Sequence, residues 1–102
     1  MNYTENFEGI KLDVQAVDID VDASVQGRIR LLIGRLKSRY PEITHADIYL
    51  EEKAAKSTNQ RQVSIRLGVP GNDPFASEYG DDFHELLNSV GDKIRRQLEK
   101  RN

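Results

Sequence analysis

At 102 residues the chain has room for one domain with a modest core. It is 37% hydrophobic and 31% charged, with a net charge of −2 and no cysteine, which excludes disulfides and thiolate chemistry. No apolar run approaches the ~20 residues of a membrane span, and the N-terminus lacks a basic-then-apolar leader, so a cytoplasmic chain with no membrane partner is expected.

Residues 1–8 are polar and without period, and read as a flexible extension ahead of a single domain at 9–102. From Gly9, Ile10, Leu12, Val14 and Ala16 alternate with Lys11, Asp13 and Gln15, as a half-buried strand requires. A short alternation with Asp18 and Asp20 carries the chain to Asp22, a predicted N-cap. The helix over 23–40 buries Val25, Ile29, Leu32, Ile33, Leu36 and Tyr40 and stops before Pro41.

Two alternating runs follow, Ala46, Ile48, Leu50 and then Val63, Ile65, Leu67, Val69, joined by a polar loop at 53–60 that reads as long and mobile. Pro70, Gly71, Asn72, Asp73 and Pro74 make a turn, and a last strand is predicted at 75–79. The final helix, 81–101, is predicted to be capped by Asp81. It carries the stripe Phe83, Leu86, Leu87, Val90, Ile94 and Leu98. Gly91 costs this helix about 1 kcal/mol relative to Ala, so close packing is expected there, at a helix crossing or a sheet contact. Phe75, Tyr79 and Phe83 are assigned to the core.

The order β-α-β-β-β-α gives an α+β fold: a four-stranded mixed sheet with two helices packed on one face. A right-handed crossover makes the strands around the first helix parallel, and two hairpins add antiparallel strands. Alternation in every strand leaves the second sheet face wet.

Charge is segregated. Residues 23–41 hold five basic side chains and no acid. Arg28, Arg35 and Arg39 lie on one flank of the apolar stripe, with Arg30 and Lys37 on the other. In the final helix Lys93, Arg96 and Lys100 form a second basic stripe, with Arg95 and Arg101 beside it. Both flanks are expected to line a groove between the helices, a surface suited to RNA phosphates read by shape. His84 sits among Asp81, Asp82 and Glu85, where acids in a first helical turn have an electrostatic reason to be and a metal is not required. No HExxH, GxSxG or phosphate-cradling glycine loop is present, so neither enzymatic activity, a cofactor, a metal nor a small-molecule substrate is expected.

The run FASEYGDDFHELLNSVGDKIRRQLEK resembles the last strand, glycine turn and final helix of the ribosome hibernation promoting factors and ribosome-associated inhibitors, also called sigma-54 modulation proteins. Ala76, Ser77, Gly80, Asp82, Phe83, Asp92, Lys93, Ile94, Arg96, Gln97, Leu98 and Lys100 carry it, and IDVDASV before the first helix resembles the family's opening. The resemblance implies a short form of a stress-response factor. Such a factor binds the small ribosomal subunit and its ribosomal RNA in the mRNA/tRNA channel and blocks translation, with a second hibernation factor as a further partner. Arg35, Lys93, Arg96 and Lys100 are the positions it assigns to RNA; Arg28, Arg39, Arg95 and Arg101 come from charge alone. Leu32, His84 and Glu78 depart from the family pattern. The alternative is a protein-interaction module that uses the open sheet face or an edge strand without RNA. A general double-stranded RNA binder is a more remote reading.

Overall fold

The computed structural model describes residues 1–53 and 61–100. Seven elements follow one another: β1 (Asn2–Phe7), β2 (Ile10–Val17), α1 (Ala23–Arg39), β3 (His45–Glu52), β4 (Arg61–Gly68), β5 (Phe75–Gly80) and α2 (Phe83–Glu99). The strands form one sheet in the order β1-β2-β3-β4-β5. β2 and β3 are parallel across the α1 crossover, with Leu12 level with Ala46 and Val14 with Ile48. All other pairs are antiparallel.

The first eight residues correct the expectation of a four-stranded sheet with a flexible extension. Asn2 to Phe7 form a fifth, edge strand, in register with β2 from Asn2 opposite Gln15 to Phe7 opposite Ile10. Tyr3, Glu5 and Phe7 thereby share the face of Val14, Leu12 and Ile10. A carboxylate at the middle inward position hides the alternation. Its reason is Arg30, whose Nε donates to Glu5 Oε2 at 2.8 Å. The two-residue connection, Glu8 at φ 51 and Gly9 at φ 82, has both residues in the left-handed region, the twist a tight hairpin needs.

The core lies between the sheet and the two helices. Ile10, Leu12, Val14, Ile48, Leu50, Val63, Ile65 and Leu67 point to one face, where α1 adds Val25, Ile29, Ile33 and Leu36. From α2 come Leu86, Leu87, Val90, Ile94 and Leu98. Among the described residues no polar or charged side chain is buried in it. Asp22 caps α1 as expected, its carboxylate accepting from the Val25 N–H at 2.9 Å. The second helix starts later than expected: Asp82, not Asp81, takes the extended N-cap position and accepts from the His84 N–H. Residues 54–60 and Arg101 lie outside the described residues, and with them most of the loop expected at 53–60.

Phe75 and Tyr79 are not core residues. They are 43% and 56% exposed, because on β5 it is Ala76 that faces the helices. Phe83 is half-buried against the core cluster, with the Arg61 guanidinium 4.9 Å from its ring centre.

Candidate nucleic-acid interface

With Val25, Ile29, Ile33 and Leu36 turned into the sheet, helical geometry sends Arg28, Arg35 and Arg39 along the α1 flank that faces α2. These three, together with Arg95 from α2, line a groove of about 620 Å³ whose apolar part includes Leu32, Leu36 and Gly91. The groove is narrow because Gly91 lets the helices approach. A Cβ placed there would come within 2.4 Å of Leu32 Cδ1, so the close contact expected at this glycine is a helix crossing. Sequence reasoning took Leu32 as core and as a departure from the family. Its half-buried position makes it groove lining.

The arginines differ in how much of their charge is free. Arg95 is braced along its own helix, Nη1 2.6 Å from Glu99 Oε2 and Nη2 3.7 Å from Asp92 Oδ1. The Glu99 hydrogen bond, more than any other contact, raises its pKa. Among the described residues Arg28 reaches a neutral group, Asn88 Oδ1, at 3.5 Å, and no carboxylate. Arg35 and Arg39 enter no ion pair among the described residues, and Arg39 lies 6.0 Å from the Tyr40 ring centre. The remaining two basic side chains of α1 hold the fold together: Arg30 binds Glu5, and Lys37 Nζ donates to the carbonyls of Pro41 at 2.7 Å and Ile43 at 2.9 Å.

The second basic stripe is not in the groove. Lys93 points toward the β5 edge, where its ammonium meets Glu78 Oε2 at 2.8 Å. The same carboxylate accepts from Ser89 Oγ at 2.9 Å. Lys93 first, then Ser89, holds the Glu78 pKa below the usual range. Spacing puts Arg96 and Lys100 on this outer flank, both exposed and in no ion pair among the described residues. Of the eight positions singled out in the sequence, the structure gathers Arg28, Arg35, Arg39 and Arg95 in one groove. It sets Lys93, Arg96 and Lys100 on a separate flank, and Arg101 is outside the described residues.

Beyond the groove, His84 Nε2 is 3.0 Å from Ser24 Oγ and so ties the first turns of the two helices. Ser24 Oγ in turn donates to Asp22 Oδ1 at 3.0 Å.

A helix pair over one face of a mixed sheet has known counterparts. The profile of the family described as Sigma 54 modulation protein / S30EA ribosomal protein matches residues 12–102, nearly the whole chain. The chain belongs to this family. It is a family of ribosome-associated factors and not a known class of enzyme. Two curated proteins named ribosome hibernation promoting factor, both from Pseudomonas putida, are each 20% identical over 91 residues, covering 89% of this chain and 85% of theirs. The fold is shared with a ribosomal subunit interface protein from Coxiella burnetii, at a TM-score of 0.75 and 18% identity, covering 87% of this chain and 93% of that one. It is shared as well with the N-terminal domain of Protein Y from Thermus thermophilus, at a TM-score of 0.71 and 15% identity, covering 94% and 98%. The stretch matched to the sigma-54 modulation family contains both helices and every groove residue named above.

Proposed function

We propose that this chain is a cytoplasmic ribosome hibernation factor that docks on the small ribosomal subunit, in the channel used by mRNA and tRNA, and blocks translation by occupying it. The observation that carries the reading is the row Arg28, Arg35 and Arg39. These are three guanidinium groups on one flank of α1, free of ion pairs among the described residues and facing a groove shared with α2. Unpaired guanidinium groups release counterions from phosphates without first giving up an internal partner. Arg96 and Lys100 extend the contact from the outer flank of α2, while Lys93 and Arg95 contribute less because carboxylates already hold them.

Co-sedimentation with purified small subunits across a salt series tests this. Replacing Arg28, Arg35 and Arg39 by Ala should abolish binding at moderate salt, and each single change should lower the salt slope by about 1. The triple change at Lys93, Arg96 and Lys100 should weaken binding less. Full binding by both triple variants, or no binding by the folded wild-type chain at low salt, would overturn the proposal.

A further inference from the structure

The helices cover one face of the sheet and leave the other open. Six large hydrophobic side chains are exposed among the described residues, and four of them, Val17, Tyr49, Phe75 and Tyr79, fall on this open face. Its charged groups are mixed in sign, with Asp13, Asp47 and Glu51 against Lys11 and Arg66, so the face lacks the positive excess that draws phosphate. Exposed aromatics on a near-neutral surface fit a protein partner.

We propose that this face is a self-association surface that pairs two copies of the chain back to back. The register makes it self-complementary. Level across the sheet lie Asp13, Asp47, Arg66 and Phe75 in one row, Gln15, Tyr49, Ser64 and Ser77 in the next, and Val17, Glu51, Gln62 and Tyr79 in a third. A two-fold axis in the interface, parallel to the strands and between β3 and β4, lays β3 of each copy over β4 of the other and β2 over β5. Residues of one row then meet within that row. Asp47 of each copy faces Arg66 of the other, Tyr49 faces the small Ser64, and Val17 faces Tyr79.

Both charges are available for this. Asp47 and Arg66 are level neighbours within the chain, yet neither enters an ion pair among the described residues, and the Arg66 guanidinium lies 4.9 Å from the Phe75 ring centre. Strand spacing and length give on the order of 500 Å² of flat face per copy and about 1,000 Å² in all, at the lower limit of specific interfaces. The dimer is therefore weak and concentration-dependent. Because the helices are on the opposite face, both arginine grooves stay open in it, and the pairing stands independently of the proposed ribosome binding.

Analytical ultracentrifugation of the purified chain from micromolar to millimolar concentration tests the pairing. The wild type should shift from monomer to dimer. Asp47→Arg and Arg66→Asp, each checked for fold by circular dichroism, should each lose about tenfold or more in self-affinity, since like charges then face each other. Mixed in equal amounts, they should recover a heterodimer, because one supplies two arginines and the other two aspartates. A wild type that stays monomeric, single variants that dimerise as well as wild type, or a mixture that fails to recover would each overturn the proposal. So would Tyr49→Ser and Tyr79→Ser variants that lose RNA binding with no change in mass, which would make the face a base-stacking platform.

Discussion

Lys93 and Glu78 sit 2.8 Å apart, nitrogen to carboxylate oxygen, joining α2 to the edge strand β5. The pair removes one positive charge from the outer flank of α2 at neutral pH. Because Glu78 ionises below its ordinary range, the charge stays masked as the pH falls and is released only in stronger acid. Glu78→Gln should therefore tighten ribosome binding and steepen its salt dependence by about one unit of slope, measured by co-sedimentation at several salt concentrations. An unchanged slope would place Lys93 outside the contact.

The Gly91 and Leu32 contact sets the helix spacing and predicts a coupling. Gly91→Ala gains helix propensity, about 1 kcal/mol, but drives its new methyl into the Leu32 side chain end. The single change should be close to neutral in denaturant unfolding. With Leu32→Ala already in place, the same change should stabilise by about 1 kcal/mol, giving a coupling of that order in a double-mutant cycle. Gly91→Leu should destabilise the wild-type background by about 1–3 kcal/mol through overpacking.

Asp22 gives an acid limb to stability. Its carboxyl is held below the ordinary aspartate range by the Val25 N–H first and the Ser24 hydroxyl second. A group depressed in the folded state stabilises above its unfolded pKa, and that contribution fades as the pH drops through the folded value. Asp22→Asn keeps a good cap and should flatten the decline of melting temperature in the acid range below the usual aspartate pKa. Asp22→Ala should lower the melting temperature at neutral pH as well.

The Arg30 and Glu5 pair braces β1 against α1. Arg30→Ala strands the Glu5 carboxylate on the helix side of the strand. Amide exchange should then quicken within Asn2–Phe7 while the β3 and β4 amides keep their protection. Replacing Glu5 by Val in the same background should restore slow exchange.

Most of the architecture was legible because alternation and helical stripes are dense here. Ile10 to Ala16 alternate without a break, and Gly91 amid a strong stripe marked a close contact, with a helix crossing or the sheet as its partner; Leu32 of α1 is the one that meets it. β1 escaped because its inward positions read Tyr3, Glu5, Phe7, and the acid makes sense only beside Arg30, which chain order places far away. Phe75 and Tyr79 were misplaced because hydrophobicity alone favours burial. Strand parity sends the small Ala76 inward and the two rings out. In the groove, helical spacing located Arg28, Arg35 and Arg39. Spacing along one helix could not reveal that Lys93 faces Glu78, since that depends on how α2 lies against β5.

The two walls of the groove come from opposite ends of the folding problem. α1 is the crossover between β2 and β3, while α2 follows every strand. During synthesis a nascent chain thus exposes the arginines of α1 with no opposing wall until α2 has emerged. A half-made chain therefore carries the α1 arginines beside an open flank rather than in a groove. The two-walled groove exists only once α2 is free to pack.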